Sequence, residues 1–166
     1  ITFTLIDNQM KNLLFLSIVF VFFNCEDDLS NKTPGFEATI NDSFDWAADS
    51  YVATLQNNQL SITGTSPFGT IAMQIDTLEL GSYNLYSWTD DFAIFQDTLQ
   101  YSTQNDGVNS IAHLSDGLID INEIDNVNNT VSGHFHFDAY NGTGEYTINL
   151  SEGVFYKIPI ASDSQD

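Results

Sequence analysis

Arginine is absent from this chain, lysine occurs three times and cysteine once. Each scarcity removes a class of function. Without guanidinium groups there is no planar fork to clamp a phosphate or a carboxylate through two hydrogen bonds. Three cations stand against 23 acids, a formal charge of −20. Such a chain has almost nothing with which to neutralise a phosphate backbone, so nucleic acid is excluded as a partner. A single thiol forms no intramolecular disulfide, which leaves burial and strand pairing to stabilise the fold. No amphipathic run of helical length follows Cys25, and no Gly-x-Ser-x-Gly nucleophile elbow appears.

What is present begins with one long apolar run. Met10-Lys11-Asn12 leads into Leu13 to Phe23, and Asn24-Cys25-Glu26-Asp27-Asp28 follows. A helix over those apolar residues would be only about 16 Å long at about 1.5 Å per residue. A bilayer core of roughly 30 Å needs about 20 residues, so the run fits the apolar region of a removable export signal better than a membrane span. Met10 directly precedes the basic residue, which marks it as the start of the precursor and residues 1–9 as an upstream extension. Asn24-Cys25 resembles the lipobox of bacterial lipoproteins, in which the leader (here 10–24) is cut before a cysteine that receives diacylglycerol. The resemblance implies Cys25 as the lipid attachment site. The acids after it are similar to the surface-export signal of lipoproteins in Bacteroidota. Several acyl chains anchor firmly where one alone is marginal.

Cleavage before Cys25 removes one acid, Asp7, and one cation, Lys11, and leaves Lys32 and Lys157 against 22 acids. The remaining length suits one domain with a substantial core. Residues 25–35 are polar and acidic and read as a tether. Residues 36–160 read as a β domain, and 161–166 as a polar tail. Within the domain, short period-2 runs alternate with Asn, Asp and Gly turns. Phe36, Ala38 and Ile40 share a face, as do Leu60, Ile62 and Gly64, then Ile71, Met73 and Ile75. Asn57-Asn58, Ser66-Pro67-Phe68-Gly69, Asn105-Asp106-Gly107, 125–129 and Asn141-Gly142-Thr143-Gly144 are turn signals. Ile111 to Ser115 leads into Asp116-Gly117, Thr130 to Tyr140 is a long strand, and Val154 to Ile160 closes the domain. The segment from Leu118 to Ile124 breaks alternation, and a β-bulge reconciles it. About ten short strands at this spacing predict an all-β fold, an antiparallel β-sandwich or partly open barrel.

Phe36-Glu-Ala-Thr-Ile-Asn, Gly81-Ser-Tyr-Asn-Leu, Gly117-Leu-Ile-Asp-Ile-Asn-Glu-Ile-Asp125, Thr130-Val-Ser-Gly-His-Phe-His-Phe and Glu152-Gly-Val-Phe together resemble an uncharacterised domain family. It is a family of lipoproteins in Bacteroidota. Asp42 stands where that family often has glycine. The resemblance spans about residues 36 to 160 and implies a small β domain behind a lipid anchor. It implies no activity and no cofactor.

Three features are candidates for chemistry. Period 2 puts His134, His136 and Asp138 on one strand face and both intervening Phe on the other. Two imidazoles at i, i+2 can share a metal, with His113 as a third ligand; the competing reading is a solvated polar face. The acidic turn 125–129 offers oxygen ligands for calcium, but it lacks the spacing of known loops, and Asx turns explain it more simply. Tyr83, Tyr86 and Trp88 precede Asp90-Asp91 and could stack a sugar; the competing reading makes Tyr83 a core residue and Trp88 a cap on the sheet. Acids are too numerous to single out a catalytic pair. The expectation is a surface lipoprotein anchored in the outer membrane, non-catalytic, with a binding or structural role. Glycan or nutrient capture through Tyr83, Tyr86 and Trp88 is the second reading; whether the partner is a glycan or a protein stays open. A His-based metal-binding protein or metalloenzyme is the third.

Overall fold

Every second side chain from Phe36 to Ile40, Leu60 to Gly64, Ile71 to Ile75 and Val131 to Ala139 is buried. That period of two forces extended chain with one face in the core. The computed structural model describes residue 33 and residues 35–108 and 113–162. The leader 10–24, Cys25, most of the tether, Ile111 and the end of the tail lie outside the described residues. The strands in chain order are β1 (Gly35–Ile40), β2 (Phe44–Ala47), β3 (Ser50–Gln56), β4 (Gln59–Ser66), β5 (Gly69–Ile75) and β6 (Gly81–Asn84). They continue with β7 (Phe92–Gln96), β8 (Gln100–Ser102), β9 (Asp116–Asp125), β10 (Thr130–Asn141) and β11 (Thr147–Ser162).

All eleven belong to one sheet, in the order β2-β1-β11-β3-β4-β5-β7-β8-β10-β9-β6, and β11 also pairs with β10. The long β10–β11 hairpin is therefore a spine shared by two layers. One layer is β2-β1-β11-β10-β9-β6 and the other is β3-β4-β5-β7-β8. They join at two corners: Ile160 to Ser162 of β11 against Ala53 to Leu55 of β3, and Tyr140-Asn141 of β10 against Tyr101-Ser102 of β8. The ring β11-β3-β4-β5-β7-β8-β10 closes, and β1–β2 and β9–β6 extend from it as wings. The expected all-β fold, an antiparallel sandwich or partly open barrel, is what forms, with one departure: the β11–β3 corner is parallel.

Three bulges mark the spine and the strand beside it, one in β9 and two in β11. Between Ser132 and Gly133 the partner on β9 steps from Glu123 to Ile121, so Asn122 is the extra residue. This is the bulge that the broken alternation demanded. On β11 the register slips near Glu152 and near Lys157, each with φ 51°. Val154 to Ile160, expected to close the domain as a strand of its own, is thus the second half of one bulged strand, Thr147–Ser162. Asp116-Gly117 also departs from expectation, since both residues already lie in β9. A Cβ on Gly117 would sit 2.6 Å from Phe137 Cβ, so only glycine fits there.

The first hairpin keeps its form without glycine. Asn41 and Asp42 take φ 51° and 52°, and Ser43 N donates to Ile40 O at 3.2 Å. Asn57 and Asn58, with φ 52° and 70°, make a two-residue hairpin whose flanks Gln56 and Gln59 pair.

Strand directions distinguish two ends. The chain enters at Gly35, beside Tyr156. This entry end also holds the turns 57–58 and 125–129 and the end of β11. The far end holds the turns 41–43, 67–68, 97–99 and 142–146. Between them lies a core of Phe36, Trp46, Phe95, Phe135, Phe137, Phe155 and aliphatic side chains. Phe36 meets Trp46 and Phe135 edge to face, at 5.5 and 5.4 Å between centroids, a favoured ring geometry.

Candidate functional site

His134 and His136 lie on the outer face of β10, both exposed, with Phe135 buried between them. Across the ladders, His134 stands opposite Asp120 and Val154, and His136 opposite Leu118. Asn122, the bulged residue of β9, puts its Nδ2 3.2 Å from His134 Nδ1. A depression of about 330 Å³ on this face is lined by both histidines, Glu152 and the apolar Leu118, Phe135 and Val154. Asp138 does not join them; its carboxylate accepts from Asn149 Nδ2 at 2.8 Å. His113 is exposed on the segment before β9, where its carbonyl accepts from Gly107 N. Ile111 to Ser115 is no strand neighbour of β10 within the described residues, so the expected third ligand is not supplied. Among the described residues no three His, Cys, Asp or Glu side chains gather as a metal site.

The acidic turn after β9 uses its carboxylate internally. Asp125 Oδ1 accepts from Val127 N and Asn128 N at 2.8 and 3.0 Å, and Oδ2 accepts from Asn128 Nδ2 at 2.6 Å. These bonds hold the Asp125 carboxyl below the usual carboxylate range. This is an Asx turn with its oxygens already committed.

The three aromatics separate into two environments. Tyr83 is half-buried against the core, and its hydroxyl donates to Glu79 O at 2.9 Å. Burial, with Glu79 nearby, pushes its phenol up. Tyr83 is therefore the core residue its position in β6 suggests. Tyr86 and Trp88 stack, with centroids 4.7 Å apart and planes 16° from parallel. Trp88 is 65 % exposed, so it is no cap on the sheet. One indole face rests on Tyr86 and the other meets solvent.

The turn that carries this pair is tightly fixed. Thr89 Oγ1 accepts from Tyr86 N at 3.0 Å and lies 2.8 Å from Tyr86 O, to which it donates. Thr89 N returns to Tyr86 O at 3.1 Å. Ser87 Oγ donates to Asp106 Oδ2 at 2.7 Å, while Asp106 Oδ1 accepts from Ser115 N at 2.9 Å. Ser115 Oγ also bonds Thr103 O inside the core. One carboxylate thus ties the loop after β6 to both ends of the loop between β8 and β9. Burial raises the Asp106 carboxyl, but the Ser87 and Ser115 hydrogen bonds outweigh it and hold the group low. Turn-residue composition marks Asn105-Asp106-Gly107 as a turn, whereas the turn closes one step earlier, Asn105 N to Ser102 O at 3.1 Å. The roles of Asp106, Ser87 and Ser115 carry no local sequence signal, because their partners lie 9 to 19 residues away in the chain, whereas Thr89 closes a local turn with partners at most five residues away.

The loop that carries this turn crosses from the far end of β6 to the start of β7: Ser87 ties it to Asp106 on the far side, while Asp91 accepts from Asp76 N at 2.9 Å after β5; exposed apolar side chains concentrate at the far end. Of the ten large exposed ones among the described residues, seven belong there. Phe44 and Phe68 form an edge-to-face pair at 5.2 Å. Leu99, Val108, Leu114 and Tyr146 occupy neighbouring loops, with Val108 N bonded to Gly144 O. Leu80 and Val127 lie at the entry end and Val52 lies along β3. Exposed apolar groups scattered singly need no explanation; contiguous apolar patches are the ones that mark interaction sites.

No curated protein and no solved structure matches this chain. A family model described as a domain of unknown function, DUF6252, matches residues 32–159, which is nearly the whole β domain. The motifs of β1, β6, β9, β10 and β11 singled out in the sequence all fall within that match, and the chain belongs to the DUF6252 family.

Proposed function

We propose that this protein is a non-catalytic binding module held at the outer-membrane surface by lipid on Cys25, and that its far end captures neutral glycan chains. The lipid reading rests on the run from Met10 to Asp28 and its likeness to lipoproteins of Bacteroidota. The observation that carries the binding reading is the Tyr86–Trp88 stack, 65 % exposed at Trp88. An indole face stacked in this way offers a flat apolar platform for the C–H face of a pyranose, and side chains already held in place lose less entropy on binding. Asn84 and Asp90 are exposed beside it and supply polar atoms for ring hydroxyls. A charge of −20 repels sulfated and uronic chains, which restricts the class to neutral glycans.

The chain's direction fits this use. A lipid on Cys25 would tether the domain through residues that enter beside Tyr156, and the aromatic loops occupy the opposite end. The anchor is tested by metabolic labelling with a palmitate analogue: the native chain takes label and Cys25→Ala does not. Label retained by Cys25→Ala would overturn the anchor without touching the glycan reading.

A further inference from the structure

We infer that His134 and His136 form a two-imidazole surface chelate for a borderline divalent cation, copper(II) before nickel or zinc. This site is separate from the aromatic end and does not depend on the glycan reading. Both side chains project from one exposed strand face two residues apart, roughly 7 Å between Cα atoms, a span that two imidazoles close around one ion. They border the same depression of about 330 Å³, which Glu152 also lines. The bulge of β11 fixes Glu152 there with φ 51°, and Thr39 Oγ1 contacts its carboxylate at 3.5 Å.

The donor set decides the metal. Two imidazoles without a third protein ligand cannot build the closed tetrahedral site that structural zinc requires. Copper(II) tolerates two cis nitrogens with water in the remaining positions and stands highest in the divalent affinity series. Glu152 adds negative charge beside the ion rather than a bond, and the acidic surface raises local cation concentration. Asn122 is the positioning residue. With its amide turned over, Oδ1 accepts from His134 Nδ1–H, which leaves the Nε2 lone pair for the metal.

The test is copper(II) titration of the full chain in detergent, read by calorimetry and by electron paramagnetic resonance. Saturable binding of one ion with two equatorial imidazole nitrogens is expected. His134→Ala and His136→Ala should each weaken this site by about tenfold or more and leave one nitrogen, and the double variant should abolish it. Asn122→Asp, which keeps an acceptor for Nδ1–H, should bind at least as tightly as the native chain, whereas Asn122→Leu should lose about tenfold. Retention of the two-nitrogen signal in either histidine variant, or no saturable site in the native chain, would overturn the proposal. Circular dichroism of each variant separates loss of ligand from loss of fold.

Discussion

Gly133 pairs with Phe155, and Phe135 pairs with Gly153, so each strand of the β10–β11 hairpin receives the other's ring over a glycine. A Cβ on Gly133 would lie 2.1 Å from Asp120 O and 2.3 Å from Phe155 Cζ. The first contact is backbone and cannot rotate away. Gly133→Ala should therefore cost about 3 kcal/mol or more, seen as a lower urea midpoint, since overpacking of a filled core is expensive. Glu152 presents the opposite case: a non-glycine residue with φ 51° in a bulge. Glu152→Gly should raise stability by about 0.5–1 kcal/mol, because a left-handed conformation costs a side-chain residue about 1–2 kcal/mol, less the entropy glycine loses on folding. The inward position of Gly133 was legible in the alternation of β10. The need for glycine there was not, because it comes from a ring on another strand.

At the scale of elements, the loop after β6 depends on Thr89 and Asp106. Thr89→Val keeps shape but removes the hydroxyl that bonds Tyr86 N and Tyr86 O. It should increase indole mobility in time-resolved fluorescence anisotropy while lowering global stability by only about 1 kcal/mol, the usual worth of a capping hydroxyl. Asp106 adds a pH signature. Its carboxyl lies below 3.8 in the folded chain, so its hydrogen bonds contribute fully above that value and are lost as pH falls through the folded value. The stability gap between the native chain and Asp106→Asn should be present at pH 5 and shrink below pH 3.8; a gap unchanged at pH 2.5 would contradict this role. Local patterns reach part of this scale. The failure of Ile124 to alternate with Ile119 and Ile121 revealed the β9 bulge. Asn105-Asp106-Gly107 revealed only a turn, because a side chain's distant partners leave no trace in its own neighbourhood.

For the whole molecule, two diagonally placed corners convert a hairpin spine with wings into a closed ring, and the same directionality separates the entering chain from the aromatic loops. Composition and alternation were enough to reach an all-β fold, a sandwich or partly open barrel of short strands. They could not show the parallel β11–β3 corner, since strand order depends on how a sixteen-residue bulged strand divides its edges between two layers. They also grouped Tyr83 with Tyr86 and Trp88, three neighbours in sequence that strand pairing splits between core and surface. The account rests most heavily on the exposed indole. Affinity electrophoresis through gels containing neutral polysaccharides, with the native chain beside Trp88→Ala, tests it directly. Retardation of the native chain by at least one neutral polysaccharide, weakened about tenfold or more in Trp88→Ala at unchanged circular dichroism, is the expected result, in line with the worth of one stacking ring. Free migration of the native chain through every such gel, or equal retardation of Trp88→Ala, would contradict it.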